Sequence, residues 1–175
     1  AAKAATDDEA SRTIGDYVVD RLLGAGGMGS VYLATHQPSG RNVALKVLGP
    51  EQSANPDMVS RFRSEAKAAS RLSHSNIVGV YEAATIDGVS FIAQEFVDGI
   101  DIAKAVAQRG ALSIKRGLDV IRQVSRALQH AHEQGIVHRD IKPSNLLVTR
   151  EGIVKIADLG VARSLEEAED AGVTA

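Results

Sequence analysis

Eight consecutive residues near the C-terminal end of the chain combine acidic, basic and amide side chains: His138-Arg139-Asp140-Ile141-Lys142-Pro143-Ser144-Asn145. A polar turn would explain the proline and the asparagine, but it would not explain the preceding His-Arg-Asp. So many acid–base and ligand groups are unusual in a loop with only a structural role. This segment is therefore the first candidate for catalysis.

A glycine-rich segment near the N-terminus, Gly24-Ala25-Gly26-Gly27-Met28-Gly29, matches G-x-G-x-x-G. Glycine lets a backbone approach phosphate groups closely. A dinucleotide-binding fingerprint needs a helix directly after the glycines and an acid about 20 residues on, but a predicted strand follows and position 46 is a lysine. A Walker A loop needs G-K-[ST], whereas Gly29 is followed by Ser30. A plain hairpin turn and a glycine loop folded over a nucleotide both remain open.

Three charged residues can each be explained either by an ordinary structural role or by a role in function. Lys46 lies in the apolar run 43–48, so its ammonium group has to meet an anion or reach water along its own stem. Glu65 lies on a predicted helix beside Ala66, where a glutamate usually faces solvent. Asp158 opens Asp-Leu-Gly after a short apolar run, and Asp-x-Gly is a common turn.

The elements that must position these residues change in type along the chain. Short apolar runs separated by turn residues predict antiparallel strands before residue 50. Apolar residues spaced by three and four predict a helix from Asn55-Pro56, and the runs 77–81 and 89–96 predict a hairpin around Asp87-Gly88. A second, longer helix is predicted from Ser113 to Gln134, followed by short strands at 146–148 and 154–156. This order indicates an α+β fold with a small sheet lobe leading into a helical lobe.

Composition excludes several classes of function. The 175 residues fit about one domain, and 44% are hydrophobic. The formal net charge of −2 argues against a nucleic-acid binder, which needs a basic face. The absence of cysteine excludes disulfides, cysteine-ligated zinc and a thiol nucleophile. No apolar run is long enough to cross a membrane, and we expect a cytoplasmic domain, with a membrane anchor after residue 175 left open.

Taken together and in this order, the motifs resemble the signature set of the protein kinase family: glycine loop, strand lysine, helix glutamate, H-R-D-x-x-x-x-N and D-x-G. The segments 23–34, 74–78 and 131–140 resemble the bacterial branch of eukaryotic-type Ser/Thr kinases. The resemblance covers about residues 15–165. It implies a protein-kinase-like fold, with a flexible tail at 1–13, an N-lobe at 14–97 and a partial C-lobe at 98–175.

The resemblance also implies ATP as phosphoryl donor, Mg²⁺ as metal and protein Ser/Thr hydroxyl groups as acceptors. The glycine loop would cover the ATP phosphates, and Lys46 would contact the α and β phosphates while paired with Glu65. Asp140 would accept or orient the proton of the substrate hydroxyl, and Lys142 would contact the γ-phosphate. The metal ligands would be Asn145 and Asp158.

The expected adenine slot follows from the same resemblance. Its walls would be Val31 and Ala44 above and Leu147 below. The hinge backbone would come from Glu95, Phe96 and Val97, with Gln94 as gatekeeper. His138 is expected to be a packed structural residue and not a catalytic base.

The chain departs from the family pattern in two places. Leu159 stands where the family usually has phenylalanine, and we expect it to pack beneath the helix of Glu65. The chain ends at Ala175, within the expected activation segment and before an A-P-E motif, so a non-catalytic nucleotide-binding or regulatory module is the alternative function. By resemblance, Arg139 would pair with a phosphorylated activation-segment residue, for which Thr174 is the candidate.

The predicted long helix carries an apolar stripe that the rest of the sequence is too short and too polar to cover. We therefore expect part of this stripe to be exposed, and residues 1–175 alone to be marginally stable and prone to self-association. The stripe consists of Ile114, Leu118, Ile121, Val124 and Leu128.

Overall fold

A long hairpin carries the glycine-rich segment at its tip. In the computed structural model, which describes residues 12–158 and 163–164, strand β1 (Thr13–Ile14) pairs with β2 (Tyr17–Gly26), and β2 pairs with β3 (Gly29–His36). Gly26 lies opposite Gly29, so residues 27–28 form a two-residue turn. A strand and not a helix follows the glycines, which excludes the dinucleotide-binding fingerprint.

The first sheet has six antiparallel strands in the order β1-β2-β3-β4-β6-β5, with β4 at Arg41–Leu48, β5 at Val80–Ile86 and β6 at Val89–Glu95. Alternation along β4 separates two faces of this sheet. Val43, Leu45 and Val47 join a core with Phe91 and its neighbours. Lys46 therefore points to the opposite face, which the longer of the two helices between β4 and β5 covers.

That helix is α2 (Pro56–Ser70), which follows the single turn α1 (Pro50–Ser53). Asn55 caps α2 by accepting from the backbone N–H groups of Asp57 and Met58, as the Asn-Pro start predicts. Phe62 and Ala66 are buried with Leu48 of β4 and Ile92 of β6. Glu65 is thereby carried to the sheet face that holds Lys46. The α1 turn was not predicted.

The C-terminal part of the chain is built around one long helix. In order, its elements are β7 (Gly99–Asp101), α3 (Ile102–Arg109), α4 (Ile114–Glu133), β8 (Ile136–Val137), a 3₁₀ turn (Pro143–Asn145), β9 (Leu146–Thr149), β10 (Val154–Ile156) and β11 (Arg163–Ser164). Strands β7, β9 and β10 form one small antiparallel sheet, and β8 pairs with β11. The sequence predicted α4, β9 and β10, but not α3, which Asp101 caps by accepting from Lys104 N–H.

The segment 76–79 ties β10 to the first sheet. Val78 N–H donates to the carbonyl of Ile156, and Ile156 N–H donates to that of Asn76. Glu95 N–H in turn donates to the carbonyl of Gly79. The prediction of a strand from Ile77 was therefore wrong by three residues, because the backbone of 76–78 bonds to β10 and only Gly79 meets the end of β6.

Helix α4 has a buried half and an exposed half. Val124, Ala127 and Ala131 pack into a core with Ile136 and Ile156. The exposed fractions of Ile114, Leu118 and Ile121 are 84%, 62% and 61%. The expectation of an incompletely covered stripe is confirmed for its first half. Within residues 12–158, no helix is long and apolar enough to cross a membrane.

Candidate active site

Asp140 is held in place by its own loop. Its carboxylate accepts from Lys142 Nζ at 2.7 Å and from Asn145 Nδ2 at 3.1 Å, and Asn145 Nδ2 also donates to the Asp140 carbonyl at 2.9 Å. The hydrogen bond from Lys142 is the main reason why the pKa of Asp140 lies below its ordinary value, and the bond from Asn145 adds to it. The loop therefore presents an ionised carboxylate in a fixed orientation.

His138 supports this loop from beneath. The side chain is buried, its Nε2 lies 3.2 Å from the carbonyl of Ala157, and its Nδ1 lies 3.3 Å from Asp140 N–H. These contacts agree with the prediction of a packed structural histidine. Two neighbouring residues, Arg139 and Asp158, have positive φ angles of 60° and 54°, which are rare for residues other than glycine. Such backbone conformations cluster at functional sites.

Lys46 pairs with Asp158 and not with Glu65 in the described part of the chain. Lys46 Nζ lies 2.8 Å from Asp158 Oδ1, although 112 positions separate the two residues. The predicted Lys46–Glu65 ion pair is therefore wrong for this conformation, in which the Lys46 ammonium group meets the carboxylate of Asp158. Burial raises the pKa of Glu65 to about 7, and the positive charge of Lys46 offsets only part of that rise. All three side chains line one small cavity with Gln94.

The glycine loop is open on one side and closely packed on the other. A Cβ atom added at Gly24, Gly26 or Gly27 would meet nothing within 4 Å. At Gly29, whose φ is +146°, a Cβ atom would collide with the carbonyl oxygen of Val47. Packing thus requires glycine at position 29, whereas the other three positions leave the backbone accessible to a ligand.

One sheet face carries most residues of the expected nucleotide slot. Val31 pairs with Lys46 across β3 and β4, and Ala44 pairs with Gln94 across β4 and β6. Directly opposed residues share a face, so these four side chains lie on the side that α2 covers. Leu147 lies on β9, opposite Lys155 of β10.

The family-model comparison matches the protein kinase domain over residues 17–174. The chain belongs to the protein kinase family. The fold is the kinase fold as well: two variants of the PknI kinase domain of Mycobacterium tuberculosis superpose with TM-scores of 0.74 and 0.77, at 36% and 34% identity. These superpositions cover 87% and 94% of this chain and 63% and 70% of the PknI chains.

Curated bacterial Ser/Thr kinases are similar to this kinase chain in sequence. It is 39% identical to PrkC of Bacillus subtilis over 154 residues and 40% identical to PknA of M. tuberculosis over 159 residues. Each match covers 88% of this chain but only 24% of PrkC and 37% of PknA. The chain thus spans only 24% to 37% of the length of these relatives and carries the N-terminal portion of a kinase catalytic domain.

The kinase metal ligands expected from the sequence lie on adjoining segments. Ala157 N–H donates to the carbonyl of Asn145 at 2.8 Å, which brings the loop of Asn145 next to Asp158. The Asn145 amide nitrogen is bound to Asp140, so its amide oxygen is the atom left to serve as a ligand. Within residues 12–158, no group of three or more His, Cys, Asp or Glu side chains is placed to hold a metal ion. Two oxygen donors nevertheless fit Mg²⁺, which takes one or two protein ligands together with substrate phosphates.

Two polar contacts of this kinase were not foreseen. Lys155 binds the carboxylate of Glu95, the first hinge residue, at 2.9 Å and links β10 to the hinge. Gln52 of α1 binds the glycine loop. Neither residue belongs to a motif, so no pattern in the sequence marked them. Leu159 and Thr174 lie outside the described residues, and the predictions made for them stay untested.

Proposed function

We propose that the protein transfers the γ-phosphoryl group of ATP to Ser or Thr hydroxyl groups of protein substrates and requires Mg²⁺. The observation that carries this proposal is the preformed Asp140–Lys142–Asn145 network, joined by one backbone hydrogen bond to the segment of Asp158. Phosphoryl transfer asks a protein mainly to position its reactants and to neutralise charge. The described groups supply both.

Each residue has a separate task in this proposal. Asp140 orients the substrate hydroxyl and takes up its proton, and its depressed pKa keeps the carboxylate ionised at neutral pH. Lys46 and Lys142 bind phosphate oxygens, and Asn145 and Asp158 hold Mg²⁺, which neutralises phosphate charge when bound. The backbone of the glycine loop covers the phosphates, with the adenine between Val31, Ala44 and Leu147 and against the hinge backbone of 95–97.

The Ser/Thr preference rests on two kinds of support. A lysine two residues after the catalytic aspartate resembles the Ser/Thr kinase pattern, and the curated relatives are named Ser/Thr kinases. We also propose a cytoplasmic location for this domain, because ATP must be available to it.

Lys46→Met in the full-length protein tests the proposal. The variant should lose γ-phosphate transfer from radiolabelled ATP to a Ser/Thr peptide mixture while its melting temperature stays close to that of the wild type. Lys67→Met is the matched control, because Lys67 is exposed on α2. Equal transfer rates for the wild type and Lys46→Met would contradict the role of Lys46.

A non-catalytic nucleotide-binding module is the second candidate. The contact between Lys46 and Asp158 favours this second function. Active kinases need both the lysine–glutamate pair and the metal-bound aspartate in place. In this conformation Lys46 binds Asp158 and leaves Glu65 without Lys46 as an ion-pair partner. Calorimetry with MgATP separates the two functions. A wild-type protein that binds MgATP but transfers no phosphate would be such a module.

A further inference from the structure

The tip of the glycine loop is bound by the short helix that follows β4. Gln52 Nε2 donates a hydrogen bond of 2.7 Å to the carbonyl of Gly27. The backbone N–H of Gly49 donates to the carbonyl of Met28 at 3.1 Å. The two acceptors are the two residues of the turn between β2 and β3, so both bonds act at the end of the loop.

Several local features place the Gln52 side chain. Pro50 begins α1, and Ser53 N–H donates to the carbonyl of Gly49 at 2.8 Å, which closes the turn. A Cβ atom at Gly49 would collide with Oε1 of Gln52, so glycine at this position makes room for the amide group. The carbonyl of Gln52 accepts from Asn55 N–H at 3.1 Å, and Asn55 caps α2. The loop tip is thereby connected to the start of the helix that carries Glu65.

The bond from Gln52 sets the direction of one amide group in the loop. A trans peptide places its C=O and N–H groups on opposite sides. Because Gln52 draws the Gly27 carbonyl toward α1, the N–H of Met28 points away from α1. Without this bond the Gly-Gly-Met segment would sample many orientations, since glycine has the largest backbone freedom. Orienting a binding loop in advance improves affinity by lowering the entropy lost on binding.

We propose that Gln52 is a positioning residue for the nucleotide: its amide fixes the Gly27–Met28 peptide so that the loop is preorganised for the phosphates. This inference rests on the proposed ATP-dependent function. Its signature is a rise in KM for ATP with little change in kcat, because the bond acts on nucleotide binding and touches none of the groups that handle the proton.

Three substitutions in the full-length protein test this role. Gln52→Met keeps the length of the side chain and removes the donor, and we expect about a threefold rise in KM for ATP, which corresponds to the loss of one ordinary hydrogen bond. Gln52→Glu keeps the shape but places a carboxylate against the Gly27 carbonyl, so its KM should rise further. Gln52→Lys restores a donor, so its KM for ATP should be close to that of the wild type. Glu51→Gln is the control, because Glu51 is exposed on the same turn.

Two readouts keep the outcomes separate. A steady-state assay gives KM and kcat, and calorimetry gives the dissociation constant of MgATP without turnover. A wild type that binds MgATP but transfers no phosphate would overturn the proposed kinase activity, while the dissociation constants would still decide the role of Gln52. Unchanged KM and dissociation constants in Gln52→Met and Gln52→Glu would overturn the inference. A fall in melting temperature large enough to explain the whole rise in KM would also overturn it. A wild type that does not bind MgATP would do the same.

Discussion

The loop of Asp140 (residues 138–145), named the catalytic loop after its proposed role, and the glycine loop (residues 24–29) lie in different halves of the molecule and are held in different ways. Asp140 is bound by two side chains of its own loop, and His138 buries the base of that loop. The glycine loop is bound at its tip by Gln52 and Gly49, and three of its glycines have open space beside them.

Under the proposed function, this difference gives the two loops different tasks. The catalytic loop fixes charged groups before any substrate arrives, as electrostatic preorganisation requires. The glycine loop leaves part of its backbone uncovered, where a ligand can bind. Substitutions in the catalytic loop should therefore change the rate of chemistry, and substitutions in the glycine loop should change affinity or, where packing is tight, stability.

The largest effect is expected in the catalytic loop. Asp140→Asn keeps the shape of the side chain but cannot take up a proton, so kcat should fall by about 10²–10⁴-fold while KM for ATP changes little. Steady-state phosphorylation of a Ser/Thr peptide by the full-length protein measures both quantities. Asp119→Asn on the surface of α4 is the control. A variant that kept its kcat but bound ATP weakly would erase the distinction between the two loops.

A smaller effect is expected within the glycine loop, and it should depend on position. Gly29→Ala should lower the free energy of unfolding by about 1–3 kcal/mol, because its Cβ atom would collide with the backbone of β4. Gly26→Ala should leave stability nearly unchanged and raise KM for ATP, because its Cβ atom enters the open side. For both variants, urea unfolding measures the free energy of unfolding and steady-state kinetics measure KM for ATP. Equal destabilisation by both substitutions would contradict the open side of the loop.

A pH-dependent effect is expected at Glu65, which lines a small cavity with Lys46 and Asp158. Its pKa of about 7 in the folded protein exceeds the ordinary value of 4.5, so the folded state binds this proton more tightly than the unfolded state does. The resulting stability is present below pH 4.5 and is lost as the pH rises toward 7. Glu65→Gln should therefore flatten the fall in stability over this range, measured by urea unfolding at several pH values. Parallel pH profiles for the wild type and Glu65→Gln would contradict the shift.

The smallest effect on stability is expected on the exposed half of α4, where side chains lack the contacts that fix the catalytic loop. Leu118→Lys should change the free energy of unfolding by no more than about 0.5 kcal/mol, because Leu118 is exposed, while Val124→Ala on the buried half should cost more. In the 175-residue chain, Leu118→Lys should also reduce self-association in analytical ultracentrifugation. A strong loss of stability in Leu118→Lys would show that this face is covered.

The amino-acid sequence by itself determined the local parts of this protein. Short apolar runs between turn residues predicted the strands around Lys46, and helical spacing predicted the helix of Glu65. Asn55-Pro56 and Ser113 marked helix starts that the structure confirms. The order of the motifs predicted the kinase family and the set of candidate site residues. These features are readable because they depend on residues a few positions apart.

Tertiary structure alone decided which of these residues meet. The choice of Asp158 over Glu65 as partner of Lys46 depends on how the segment of Asp158 lies against the sheet, across 112 positions of sequence. The same holds for the contact of Gln52 with Gly27 and for the segment 76–78, whose backbone bonds to β10 and does not form the predicted start of β5. No spacing pattern in the sequence marks the partner of a single polar side chain, because the packing of whole helices and strands decides which groups come within hydrogen-bond distance.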